Sequence, residues 1–212
     1  MKYSSVFGVL LLIASVMSHA AEGDWHVKKQ AGGITISQQA TDSGFAITRG
    51  SLVVDSSADA LITLIRDNSV CKRWLFSCKK SQLIKQYDTD KRLDYLVFDS
   101  PLLFSDRDMY VHTDFSFDPA TQTAMLRMSG RQAHDKGQVG RVRIKDLAGF
   151  WRLQKLPNNK TSVLYQVYTN PQLTPSRFLN NHFADSVFHS LKNLAVVSKE
   201  AKYSNVQMVE MK

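Results

Sequence analysis

The chain has 212 residues and a formal net charge of +8, from 27 Lys and Arg against 19 Asp and Glu. That length suits one domain, or at most two small ones, and buries a full apolar core. The basic excess favours anionic partners such as a phospholipid surface, and the lack of any recognised nucleic-acid-binding motif argues against DNA or RNA.

Residues 1–20 read as a secretory signal peptide. Lys2 is a minimal basic start, Val6 to Val16 is the apolar stretch, and Ser18 and Ala20 put small residues at −3 and −1 before Ala21. The apolar run is short for a membrane span; a retained N-terminal anchor is the alternative. Export to the periplasm is therefore expected, with residues 21–212 as one mature domain carrying 26 basic and 19 acidic residues. Cys71 and Cys78 are the two cysteines. An even pair this close in an oxidising compartment predicts a disulfide clamping Lys72 to Ser77, and no nearby Cys or His completes a metal-ligand set.

Trp25 to Lys29 and Ile34 to Ser37 read as strands around the Gly32-Gly33 turn, and Phe45 to Val54 as a third. Ser56 followed by Asp59 gives a capping-box signature, opening a short helix with the stripe Leu61, Leu64 and Ile65 and an end near Asn68. Strand-like runs then recur at Ser81 to Tyr87, Arg92 to Asp99, Met109 to Phe117, Thr123 to Ser129, Arg141 to Lys145, Phe150 to Leu156 and Thr161 to Thr169. Short turns at Asp88-Thr89-Asp90, Asp118-Pro119 and Pro157-Asn158-Asn159 separate several of them, which implies an antiparallel sheet. Thr174 as N-cap and Pro175 at the first helical position open the longest helix, free of Pro and Gly through Tyr203 and about 40 Å long. Its stripe, Leu179, Phe183, Val187, Leu191 and Leu194, is wide enough to lie across a whole sheet.

One connection stands out. Leu102, Leu103 and Phe104 put three large apolar side chains between two strands, followed by Asp106, Arg107 and Asp108. Arg107 can pair with either carboxylate and pin the base of the loop. The stretch is either a buried corner of the core or an apolar gate on a charged hinge.

Pro101 with Arg107-Asp108 also resembles a loop of the START lipid-transfer domains, and the order of the rest agrees. Trp25 with Gly33-Ile34 fits that family's opening, and Trp74 fits the tryptophan after its first helix. Val142-Arg143-Ile144, Gly149-Phe150-Trp151, Thr161 and Tyr165 match its later strands. Pro171, Pro175 and Asn180 resemble the start of its last helix, although Asn170-Pro171-Gln172-Leu173 departs from its acid-Pro-Gly-Gly turn. The resemblance implies an α+β helix-grip fold, a long curved antiparallel sheet around a C-terminal helix, holding one hydrophobic ligand.

Strand parity identifies the faces that would line such a space. They carry Asp94, Leu96 and Phe98; Met109, Val111, Thr113 and Phe115; Leu126 and Met128; Trp151; and Val163 and Tyr165, facing Phe183, Val187 and Leu191 of the helix. Without the resemblance a solid core is the simpler reading. Cholesterol-binding relatives place a buried acid–arginine pair on the strands of Asp94 and Thr113; Thr113 stands where the arginine would, which argues against a sterol. An unpaired buried Asp is costly, so Asp94 either lines the space at that cost or faces solvent. Arg141, Arg143 and Lys145 form a solvated basic strand face or a headgroup-docking face. His182 and His189 read as rim residues, and His112 with Asp94 or Asp114 is the one acid–base grouping.

No nucleophile elbow, phosphate loop or zinc signature occurs. The expectation is an exported monomer without cofactor that binds a phospholipid or fatty acyl lipid, less readily a sterol, and touches anionic membranes transiently. The competing class is a cyclase or aromatase, acting on polyketides in the same cavity.

Overall fold

The computed structural model describes residues 24–100, 104–132, 139–173 and 176–206. The expected signal peptide, Leu102 and Leu103, and the expected helix start at Thr174 and Pro175 lie outside them. In chain order the elements are β1 (His26–Ala31), β2 (Ile34–Gln39), β3 (Ile47–Val54), α1 (Ala58–Arg66), α2 (Cys71–Trp74), β4 (Cys78–Gln86), β5 (Lys91–Phe98), β6 (Asp106–Asp118), β7 (Thr123–Arg131), β8 (Arg141–Ile144), β9 (Leu147–Leu156), β10 (Lys160–Thr169), α3 (Ser176–Val197) and α4 (Ala201–Ser204). The strands form one sheet in the order β1-β2-β3-β10-β9-β7-β6-β5-β4. Residues in the left-handed region close two hairpins: the two-residue turn Gly32-Gly33 between β1 and β2, and Asn158-Asn159 in the three-residue connection from Pro157 to Asn159 between β9 and β10. Those residue types tolerate that backbone best.

The sheet is antiparallel with one exception. β8 runs parallel to the first four residues of β6, from Asp106 beside Arg141 to Met109 beside Ile144. β7 pairs with β6 only from Tyr110 onward, so β8 fills the ladder positions that β7 leaves open. Gly130 permits the crossing: a Cβ there would stand 2.2 Å from the Lys145 carbonyl oxygen.

α3 lies across β2 and β3. Ile36, Val187, Leu191 and Leu194 join Leu61, Leu64, Leu126 and Leu153 in the packed core. The helix predicted through Tyr203 ends at Val197 instead. Lys199 and Glu200 donate to the carbonyls three residues back, a tightened last turn, and the freed Ser198 carbonyl accepts from Ser56 Oγ at 3.1 Å. The break turns α4 so that Tyr203 is fully buried, with its hydroxyl 2.9 Å from Asp67. Tertiary contacts here override a sequence free of helix breakers.

The capping box is also corrected. The N-cap of α1 is Ser57, which accepts from Ala60 N; Ser56 serves α3 and β10 instead, and Asp59 pairs with Lys155. Between α1 and β4 the chain makes a 3-10 turn at Asn68–Val70 and then α2, and a disulfide joins Cys71 to Cys78 across a Cα separation of 5.9 Å.

Candidate ligand cavity

Between the concave face of the sheet and the helices lies a cavity in two chambers. The inner one, about 110 Å³, is walled by Leu96, Val111, Leu126, Met128 and Trp151, with Trp74 and Ile65 on the helical side. The outer one, about 160 Å³, lies against α3 at Leu179, Phe183 and Val187 and against Val167 and Ile144 of the sheet. Leu75, Phe98, Met109, Leu147 and Tyr165 belong to both walls and stand between them.

Of the residues that parity selects, Asp94, Leu96, Phe98, Met109, Val111, Thr113, Leu126, Met128, Trp151 and Tyr165 line the inner chamber, and Phe183 and Val187 line the outer. Phe115, Val163 and Leu191 line neither. All three are in the packed core, Leu191 with no exposure at all. Phe104 of the expected gate is exposed.

The inner chamber ends in a polar corner. Asp94 is 8% exposed and forms an ion pair with Arg92, two residues away on the same strand and equally buried. Arg92 also donates to Asn68 Oδ1 and, at 2.9 Å, to the Arg66 carbonyl, one of the orphan carbonyls at the end of α1. Asn68 Nδ2 completes the set, bonding Ser81 Oγ at 2.6 Å and Asp94 Oδ1 at 3.0 Å. Two donors here have no hydrogen-bond partner among the described residues, Arg92 Nε and Trp74 Nε1. An acid–arginine pair is thus present, with the arginine supplied from β5. Arg92 is the cross-strand partner of Thr113, so its side chain shares the inward face with the position where the arginine was sought. The signal was in the sequence: residues 92, 94, 96 and 98 have one parity. Asn68 and Trp74 carried no such signal, because they sit off the strands, on a 3-10 turn and on the short α2.

An aromatic ladder runs along the wall. Trp151 stacks on Tyr165 at 3.9 Å between centroids and meets Trp74 edge-on at 5.9 Å. Burial pushes the Tyr165 hydroxyl well above the usual tyrosine range, and no hydrogen bond to it occurs among the described residues. In the outer chamber Thr169 Oγ1 is buried and has no hydrogen-bond partner among the described residues. The disulfide-bridged segment contributes Leu75, Phe76 and Ser77 to this wall. Phe76 stacks on His189 at 5.5 Å and meets His182 edge-on, while its N–H donates to Ser190 Oγ. Burial holds His182 below the usual histidine range, against the pull of Asp185.

Arg107 and Asp108 do not pair with each other. Asp108, almost fully buried, accepts from Arg143 at 2.6 Å and from the Tyr95 hydroxyl at 2.6 Å, and Arg141 donates to that same hydroxyl. Burial works to raise the Asp108 carboxyl, but the Arg143 and Tyr95 hydrogen bonds prevail and hold it below the usual range. Arg141 and Arg143 are therefore committed to this network on the far face of the sheet, and of the three basic residues on and after β8 Lys145 alone is exposed. Arg107 bonds the Pro171 carbonyl at 3.3 Å, Ser100 Oγ at 3.2 Å and the Ser105 carbonyl, tying the β5–β6 connection to the β10–α3 connection. His112 lies 3.3 Å from Asp114, not beside Asp94.

No protein-family profile matches the sequence. It is 25% identical over 184 residues to an uncharacterised protein of Pseudomonas aeruginosa, covering 86% of this chain and 90% of that one. Among solved structures, a STAR-related lipid transfer protein fragment from Xanthomonas axonopodis superposes with a TM-score of 0.76 at 23% identity, over 83% of this chain and 99% of that one. The human StAR-related lipid transfer protein 5 gives 0.73 at 17% identity, over 85% and 88%. A Streptomyces aromatase/cyclase gives 0.50 at 11% identity, over 74% and 96%. The chain has the helix-grip fold of the START domains.

Proposed function

We propose that this chain is an exported lipid-binding protein that holds one amphiphilic lipid, a phospholipid or fatty acyl lipid, in the two-chambered cavity and carries it through the periplasm. The observation that carries the reading is the cavity itself, whose walls are predominantly apolar side chains from six strands and α3. An apolar space of this kind inside a closed sheet-and-helix fold suits an acyl chain. The net positive charge of the predicted mature chain supports brief contact with anionic membranes. Native mass spectrometry of protein purified from its own host periplasm tests the reading. A co-purifying lipid at one per chain is expected; a ligand-free protein that also fails to take up a fluorescent acyl lipid overturns it.

Ring-closing catalysis is the second reading, favoured by the aromatase/cyclase similarity and by the cavity-facing Tyr165 hydroxyl. Against it, the two acids of the inner chamber are already engaged, Asp94 with Arg92 and Asn68 and Asp67 with Lys202 and Tyr203. Turnover of a poly-β-keto substrate, abolished in Tyr165→Phe, would favour the enzyme.

A further inference from the structure

The two ends of the cavity differ in how their buried arginines are held. In the inner corner Arg92 faces Asp94, so the pair is neutral. At the outer chamber Arg107 is 6% exposed, and no carboxylate lies within ion-pair distance of it among the described residues. Its hydrogen bonds go to two carbonyls and one hydroxyl, which leaves Nη2 without a partner among the described residues. A guanidinium stays protonated at any working pH, so a cation is held here with little exposure and no hydrogen-bonded carboxylate, and Asp106 acts on it only through space. Asp99 also lines this chamber, but Asp99 and Asp106 both pair with Lys79, and Asp99 is largely exposed, where water screens it. Thr169, two residues before the Pro171 carbonyl that Arg107 holds, adds the hydroxyl of the same chamber that has no hydrogen-bond partner among the described residues.

We propose that the outer chamber seats an anionic group of the ligand, a carboxylate or a phosphate, with Arg107 as its counter-charge and the Thr169 hydroxyl as a second partner. The apolar chain then runs past Tyr165 into the inner chamber. This orientation rests on the lipid-binding reading above and adds to it a preference for anionic amphiphiles with the head outward.

The experiment varies the ligand on the unaltered protein. Dodecanoate, dodecyl phosphate and dodecanol share one chain and differ in the head; inorganic phosphate has the head alone. Each competes against bound Nile red, a neutral dye. The two anionic amphiphiles are expected to displace the dye at concentrations at least about tenfold below dodecanol, the size of a charge-assisted hydrogen bond. Inorganic phosphate is expected not to displace it, and displacement by phosphate alone would replace the lipid headgroup with a free-anion site. Lowering the pH until dodecanoate is protonated should erase its advantage and leave dodecanol unchanged. Arg107→Gln should narrow the gap and Arg107→Lys should keep most of it. Equal affinity for dodecanoate and dodecanol on the wild-type protein overturns the proposal and leaves Arg107 a tie between loops, whether or not the variants fold. No displacement by any amphiphile overturns the lipid-binding reading instead.

Discussion

Gly50 on β3 sits directly beneath Leu191 on α3, so close that a Cβ at position 50 would stand 2.4 Å from Leu191 Cδ1, 2.8 Å from Val187 Cγ1 and 3.0 Å from Ile36 Cδ1. The missing side chain sets how deeply the helix seats. Gly50→Ala is expected to destabilise by about 1–3 kcal/mol through overpacking, and Gly50→Val by more. Urea unfolding measures it. Leu191→Ala, at the same contact, should cost about 2–5 kcal/mol, as a packed-core truncation does and not as a cavity-wall change would.

The buried pair of Arg92 and Asp94 should behave as a unit. Arg92→Met or Asp94→Leu alone leaves a buried charge without its partner and is expected to cost about 3–5 kcal/mol. The double replacement Arg92→Met with Asp94→Leu should cost much less than the sum of the single changes. A double-mutant cycle by chemical denaturation checks this; additive losses would mean the two side chains act independently.

Acid should loosen the C-terminus before the sheet. Burial works to raise the Asp67 carboxyl, but hydrogen bonds from Lys202, Ser69 and Tyr203 outweigh it and hold it well below its ordinary value of 3.8. A depressed folded pKa gives stability that is full above 3.8 and is lost as pH falls from there toward the folded value. Lys202 and Tyr203 shift the opposite way, so their share persists at neutral pH and fades only in strong alkali. Stability measured from pH 7 down to pH 2 should fall less steeply in Asp67→Asn than in the wild type.

The disulfide couples stability to the cavity. Replacing Cys71 and Cys78 by Ser is expected to cost about 2–3 kcal/mol, the loop-closure entropy of so short a ring. Because Leu75, Phe76 and Ser77 wall the outer chamber, the same change should also weaken lipid binding. Thermal melts and dye displacement on the reduced and oxidised protein separate the two effects.

Much of this fold is legible in the residues, since strand parity and paired turn residues mark local backbone states that depend on near neighbours. Three features are not. The end of α3 at Val197 depends on Ser56 and Asp67, more than 100 positions away in the chain. The parallel pairing of β8 depends on where β7 stops. Phe115 and Val163 have the same inward parity as Val111 and Tyr165, and Leu191 is on the same helix stripe as Val187, but parity and stripe tell which face a side chain is on, not whether the opposing layer closes over it. That is decided by residues such as Gly50, where the helix comes down. Arg92 is the reverse case: its parity was plain, but a charge on an apolar face reads as a strand end until Asn68 and the α1 carbonyl are seen beside it.

The break between α3 and α4 gives the C-terminal segment two independent moorings. Toward its start, Asn180 bonds the Ala46 N–H and the Gly44 carbonyl, and Gln38 bonds the Asn180 carbonyl, so this end belongs to the β2–β3 hairpin. Toward its finish, Ser198, Glu200 and Tyr203 are fastened to Ser56, Arg73 and Asp67, so that end belongs to the segment around α1 and α2. The helix is a strut between two otherwise separate parts of the molecule, and either mooring can let go while the other holds. Amide exchange along it should therefore fall into two cooperative blocks with their own opening free energies, not one gradient of fraying from the tip.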